Sequence, residues 1–404
     1  MRLLWVNNIF LHPTTKGGQI RTLEMLRRLH ERHEIHYAAF DGGDSEEAVP
    51  RSREYCTKAY PVPFEIAGKS SPRFYAQLLE GVASTVPVVV ARKRSAEMRK
   101  LVCELLARQS FDSVVCDFLT PAVNFPSLAG TVLFQHNVET TIWDRRAANA
   151  RNAAERWFLS RQARLVRDYE GLKCREAAHV AAVSEEDAAR MREMFGVKQV
   201  TPIPTGVDLD YFAPPAEPPA GAHGADLVFV GSMDWLPNVD GMRWFIEESL
   251  PLIRQKRPGC SVVIAGRKPP EEVLGWARRD PAIRVTGTVP DIRPYLWGSA
   301  VSIVPLRIGG GTRLKIYEAM AARVPVVSTS IGAEGLTINP PGDIRIAESA
   351  AAFAEACLRL LDSEQERAAV AEAGWRLVSG QFSWEKVTAL FEDILLAHPY
   401  RRQP

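Results

Sequence analysis

Apolar positions in the first two hundred residues occur in two lengths. Leu3–Val6, Ile35–Phe40, Ser113–Cys116, Val132–Phe134 and His179–Val183 are short and continuous, as in strands buried on both faces. Longer amphipathic stretches lie between them: Gln19–Arg32, with Leu23, Leu26 and Leu29 at helical spacing, then Ala96–Ala107 and Glu185–Phe195. This alternation predicts a parallel sheet covered by helices. The stretch Asp144–Glu176 reads as one long, polar, arginine-rich helix, with Trp157, Phe158, Leu165 and Tyr169 among its few apolar members.

The pattern stops at Ala213–Gly224, where Pro214, Pro215, Pro218 and Pro219 preclude a helix or central strand. It then restarts: strand Leu227–Val230, helix Gly241–Gln255, strands Ser261–Ala265, Ile283–Thr286 and Ala300–Val304, helix Arg313–Arg323, and strand Pro325–Ser328. Helices Ser349–Leu361, Gln365–Val378 and Trp384–Leu396 end the chain. The fold class is α/β, as two Rossmann-like domains. The N-terminal one spans 1–206, a proline-rich linker 207–225, and the C-terminal one 226–382, with a last helix in 383–404 packing back on the first domain. Open parallel sheets bind ligands at the carboxyl ends of their strands, so a crevice between the two sheets is the expected site.

The 404 residues suffice for two such cores, and 46% hydrophobic with 24% charged residues is the range of a globular protein. A net charge of +2 gives no global field for nucleic acid, which is not expected as a partner. The six cysteines form no CxxC pair or Cys/His cluster, so neither zinc nor a disulfide framework is indicated. No apolar run approaches the roughly 20 residues that span a bilayer, and the N-terminus has no signal-peptide pattern. A cytoplasmic location is expected, at the inner face of the membrane. Arg92-Lys93-Arg94 and Arg99-Lys100, beside the apolar run Val86–Ala91, suit peripheral contact with anionic headgroups, as does the arginine-rich helix; a solvated face is the other reading.

The densest chemistry lies in Pro305–Met320, directly after a strand and running into a helix. Gly309, Gly310 and Gly311 let backbone approach a ligand, and the helix starting near Thr312 offers free N–H groups and a positive dipole end. Arg313 and Lys315 add two cations, so a phosphate is the natural guest. Glu318, one helical turn beyond Lys315, can accept both hydroxyls of a ribose. The alternative is a surface turn followed by a Lys315–Glu318 ion pair. The loop is neither a P-loop nor a GxGxxG fingerprint.

These residues, with Val228–Asn238, Ile264–Arg267, Gly287–Arg293 and Gly332–Gly335, resemble the retaining glycosyltransferases of family 4, which have the GT-B fold. The resemblance implies that the C-terminal domain holds a nucleoside-diphosphate-sugar as co-substrate. Glu318 would bind the ribose, and Gly309–Gly311, Thr312, Arg313 and Lys315 would surround the diphosphate or sugar. Gly231 and Ser232 would approach the diphosphate from the other side, with Val289–Arg293 beside the base. Two departures stand out. Gly310 occupies the position of a second glutamate, and Met233, Asp234 and Trp235 replace a spaced Arg and Lys. Arg267 is a candidate to supply the missing charge, a solvated loop arginine being the other reading.

In the N-terminal domain the resemblance gives Gly17-Gly18 to the approach of donor or acceptor, against a plain helix-initiating turn. It places His136, at the end of an apolar strand, beside the transferred sugar, with Glu139 a weaker candidate. Arg313 and Lys315 would stabilise the leaving diphosphate, which itself takes the acceptor proton; no metal or other cofactor is expected. The acceptor would be a glycan or lipid-linked sugar in cell-surface polysaccharide synthesis. Two rivals share the architecture: a nucleotide-sugar epimerase, and a non-catalytic nucleotide-sugar-binding protein.

Overall fold

The computed structural model describes residues 1–14, 17–43, 45–65, 84–150, 152–216, 224–308 and 314–401. The chain divides into two compact units, Met1–Pro204 with Glu385–Pro404, and Thr205–Trp384.

Among the described residues, the first unit is built on seven parallel strands. In chain order they are β1 (Arg2–Val6), β2 (Glu34–Asp41), β3 (Lys58–Pro63), β4 (Ser113–Asp117), β5 (Val132–Phe134), β6 (His179–Ala182) and β7 (Val200–Pro202). The spatial order is β3-β2-β1-β4-β5-β6-β7. Leu3, Leu4, Trp5 and Val6 are fully buried because β1 is central and covered on both faces. Helix Gly17–His30 covers one face with Leu23, Met25, Leu26 and Leu29. The C-terminal helix, Trp384–Ala397, returns to this unit and sets Phe391 against Trp5 and Phe134, with ring centroids 5.6 and 4.9 Å apart.

The second unit carries six parallel strands: β8 (Leu227–Val230), β9 (Val262–Ala265), β10 (Ile283–Gly287), β11 (Val301–Val304), β12 (Val326–Ser328) and β13 (Arg345–Ile346). Their order is β10-β9-β8-β11-β12-β13. Phe229, Phe245, Ile264, Ile303 and Phe353 form the centre of its core. Both sheets reverse strand order beside their first strand, between β1 and β4 and between β8 and β11. Loops diverge there and leave room at the carboxyl ends for a ligand.

The structure differs from the sequence reading in several places. The chain leaves the first unit at Pro204, not within a 207–225 linker. Val207 already bridges to Ser383, and Phe212 of the short helix Leu209–Phe212 joins the second unit's core. Proline marks an interruption of regular structure, not the side of a domain boundary on which it falls. The single helix expected over Asp144–Glu176 is two, Glu139–Ala148 and Ala153–Glu176, because Asn152 accepts from the Glu155 N–H and starts the second one afresh. Strands β3 and β7 went unread because each contains proline, tolerated here at the two edges of the sheet.

Candidate functional site

In the second unit the loops after β8 and β11 flank the switch point. Helix Leu314–Ala321 follows β11 and presents Lys315 toward the end of β8. Lys315 Nζ donates to Asn238 Oδ1 at 3.0 Å, and Asn238 Nδ2 donates to the Ser232 carbonyl at 2.8 Å. The ammonium also sits 4.3 Å from the Phe229 ring centroid, a cation–π distance. Gly231 lies under this cluster: a Cβ there would be 2.6 Å from Lys315 Nζ and 2.8 Å from Asn238 Nδ2. A side chain at 231 would displace the lysine ammonium or the Asn238 amide from the strand end. Arg267 Nε donates to Ser232 Oγ at 2.5 Å and lies 4.0 Å from Asp234. Gly231, Ser232, Arg267 and Lys315 are thus brought together, with Arg267 shaping the Ser232 turn.

Glu318 is half-buried, and its carboxylate has no hydrogen bond or ion pair among the described residues. Desolvation raises its carboxyl to about 7, against the opposing charge of Lys315. A half-buried acid with no partner among the described residues, near a cation, is a candidate binding group. Its charge also reaches the Tyr211 hydroxyl, and the Tyr211 ring covers the Arg293 guanidinium at 3.9 Å. Arg293 forks onto Asp291 at 2.7–3.0 Å, so the segment expected beside the base is fixed on the Glu318 side. The entry to the glycine loop is pinned as well, since Arg307 grips Asp240 at 2.8 and 3.1 Å and Thr329 Oγ1 donates to the Leu306 carbonyl. Gly309, Gly310, Gly311, Thr312 and Arg313 lie outside the described residues.

The first unit gathers a second constellation at its own switch point. His136, just past β5, places Nε2 2.6 Å from Asp117 Oδ1 at the end of β4. The other Asp117 oxygen accepts from Trp5 Nε1 at 2.9 Å, Asn7 Nδ2 at 2.6 Å and Thr22 Oγ1 at 2.8 Å. A carboxylate can only accept, so Nε2 of His136 carries the hydrogen and Nδ1 holds a lone pair. Burial lowers the imidazole below its usual range, the Asp117 charge opposes this, and Arg21 adds to it. His136 is therefore neutral at pH 7.

The ring stacks on Phe118 at a centroid distance of 3.9 Å. A Cβ at Gly18 would meet Phe118 Cζ at 2.7 Å and His136 Nδ1 at 3.6 Å, so glycine there allows the helix tip to close on the stack. Gly17 faces open space. Arg21, on the same helix, is fully buried, donates to the Ile203 carbonyl and is pushed down to about 9 by desolvation. The loop carrying His136 is held from behind by buried Glu170. It accepts from the N–H groups of Glu139 and Thr140 at 2.9 and 2.8 Å and from Thr140 Oγ1 at 2.6 Å. This caps helix Glu139–Ala148, with Glu139 engaged through its backbone N–H and its carboxyl raised by burial.

Sequence reasoning missed Asp117, Asn238 and Glu170. The only signal for Asp117 was an acid directly after an apolar strand; its partners are far away in sequence.

Residues 15–211 match the family described as Glycosyltransferase Family 4, and residues 224–363 match Glycosyl transferases group 1. Two glycosyltransferase family models thus match successive stretches of the chain, and its two parallel-sheet α/β units have the fold of the GT-B class. A Mycobacterium tuberculosis GDP-mannose-dependent alpha-(1-6)-phosphatidylinositol monomannoside mannosyltransferase is 28% identical over 239 residues, 54% of this chain and 61% of that protein. An uncharacterized 44.6 kDa protein in the cps region of Klebsiella pneumoniae is 29% identical over 140 residues, 33% of this chain and 36% of that protein. The matches therefore span from about a third to three-fifths of these relatives' lengths. The crystal structure of Anabaena Alr3699/HepE in complex with UDP shares the fold, with a TM-score of 0.67, 12% identity, and 98% and 100% of the two chains covered.

Proposed function

We propose that this chain transfers a sugar from a nucleoside-diphosphate-sugar to an acceptor hydroxyl, with retention of configuration, in the synthesis of a cell-surface polysaccharide or glycolipid. The observation that carries the reading is the cluster Gly231–Asn238–Lys315 with uncommitted Glu318 one turn along. It is a cation held at a bare strand end, a helical turn from a carboxyl suited to a ribose. The UDP in the Anabaena structure and the GDP-mannose dependence of the mycobacterial relative support a nucleoside diphosphate as the leaving group.

In this reading Lys315, with Arg313 and the Gly309–Gly311 amides, neutralises charge on the leaving phosphate by preorganised electrostatics. Glu318 accepts the two ribose hydroxyls. The bond from the anomeric carbon to the phosphate oxygen breaks, and the acceptor oxygen bonds to the same face of that carbon. The acceptor proton passes to the departing phosphate. His136, its Nε2 hydrogen spent on Asp117, offers Nδ1 to a hydroxyl of the transferred sugar and orients it. These cations replace a metal, so turnover persists in EDTA.

The test is nucleoside diphosphate release from UDP- and GDP-sugars with and without polyprenyl-linked or glycan acceptors, and the product's anomeric configuration by NMR. Acceptor-dependent release with retention supports the reading. Inverted product, or a C2-epimerised donor formed without acceptor, contradicts it.

A further inference from the structure

Phe118 directly follows Asp117 at the end of β4, and nothing in the sugar-transfer reading uses its ring. Its backbone is left-handed, with φ at 75°. That conformation brings Cβ against the following carbonyl oxygen, and a bulky aromatic residue seldom adopts it. Lys268 and Arg323 share the positive φ, but neither carries an aromatic ring.

The conformation is held from several sides. Phe118 N–H donates to the Phe134 carbonyl at 2.8 Å, continuing the pairing of β4 with β5. Cys116 Sγ donates to the Phe118 carbonyl at 3.4 Å. Leu119, next along, is buried, and Thr120 Oγ1 accepts from Asn8 Nδ2 at 2.5 Å. A strained backbone that its surroundings over-determine points to a use for the side chain it carries.

That use lies in what the left-handed step does to direction. Strand side chains alternate between faces, and Val114 and Cys116 enter the core cluster that contains Met98 and Val102. Unbroken alternation would send residue 118 to that face and leave Asp117 on the other. Instead both neighbours reach one imidazole. Asp117 Oδ1 lies 2.6 Å from His136 Nε2, and the Phe118 ring stacks on the His136 ring at 3.9 Å with 11° between planes. Phe134 closes in at 4.5 Å, tilted by 52°. The imidazole is fixed at its Nε2 edge and over one face. Its Nδ1 is left at the helix tip, 3.6 Å from where a Gly18 Cβ would be.

We propose that Phe118 is a positioning residue. Its left-handed backbone turns the ring onto His136, which sets and shields the imidazole plane so that Nδ1 is presented to a sugar hydroxyl as an acceptor. The part played in transfer rests on the functional reading above, whereas the control of the imidazole does not depend on it.

The test compares the full chain with Phe118→Gly, Phe118→Asn and Phe118→Ala. Each removes the ring, but glycine and asparagine tolerate a left-handed backbone and alanine does not. Phe118→Gly should therefore melt about 2–4 °C above Phe118→Ala, the reverse of the usual order. His136 is then titrated by NMR in histidine-labelled protein. The charges that bear on its ring are Asp117, at the end of β4, and Arg21, on helix Gly17–His30. Losing Phe118 opens one face to water while Asp117 stays, so the protonation midpoint should rise in all three variants. At saturating donor, kcat should fall about tenfold, the reach of one aromatic pair, with nucleotide Kd within about twofold of the parent chain. An unmoved midpoint, or kcat equal to that of the parent chain, overturns the proposal. So does Phe118→Ala melting at or above Phe118→Gly. A parent chain without turnover would count against the functional reading alone, because melting and titration need no reaction and still decide whether Phe118 controls the imidazole.

Discussion

Asp117 binds His136 Nε2 at 2.6 Å with one oxygen and receives Trp5, Asn7 and Thr22 with the other. The carboxylate fixes the imidazole tautomer and leaves Nδ1 as the acceptor. Asp117→Asn puts an amide nitrogen opposite one of these donor sets and reverses the tautomer or breaks the trio. Transfer should fall about 100-fold, since tautomer errors of this type are costly, while nucleotide affinity, set in the second unit, stays within twofold (about RT ln 2, well below one hydrogen bond). Comparing kcat with the nucleotide Kd checks this; a parallel loss in both would contradict it.

Gly231→Ala introduces a Cβ 2.6 Å from Lys315 Nζ. The lysine must swing away from Asn238, moving the cation off the strand end. Nucleotide affinity should weaken at least about tenfold, the worth of one charge-assisted hydrogen bond. Calorimetric titration reads it directly, and unchanged affinity would remove Lys315 from the donor site.

Glu318 has its carboxyl raised to about 7 by burial, so it is largely neutral below that pH and charged above it. A ribose is held best by the charged form, which accepts with both oxygens. Affinity for a nucleotide-sugar should therefore fall by about tenfold in all as pH drops from 8 to 6 (about one proton taken up). Using a nucleotide-sugar rather than a free diphosphate avoids the titration of a terminal phosphate. Glu318→Gln should bind more weakly at pH 8 and lose most of this slope.

Glu170→Ala leaves the N–H groups of Glu139 and Thr140 without their acceptor at a buried helix start. Stability should drop by about 2–4 kcal/mol, the cost of unpaired buried donors plus a lost cap. The His136 loop should loosen with it, so kcat falls more than donor KM rises. Denaturant titration and steady-state kinetics test the two parts separately.

Much of this was legible in the chain. Strands such as Leu3–Val6 and Leu227–Val230 are covered on both faces, so they appear as continuous apolar runs. Glu318 and Lys315 stood out because a local strand-loop-helix pattern carries them. Asp117 did not, because its ligands Trp5, Asn7 and Thr22 are 112, 110 and 95 residues away and no local pattern joins them. Asn238 reads as a routine helix-start residue beside Pro237, and only the fold shows it holding Lys315. The break between Ala148 and Ala153 was hidden because two asparagines among alanines barely disturb a helical pattern.

The most direct measurement is calorimetric titration of UDP and GDP into the parent chain, Lys315→Ala and Glu318→Ala. The account predicts that one of the two nucleotides binds the parent chain and that each substitution weakens it by about tenfold or more, one charge-assisted contact each. Binding that is equally strong in both variants, or centred on the first unit and abolished by His136→Ala instead, would contradict it.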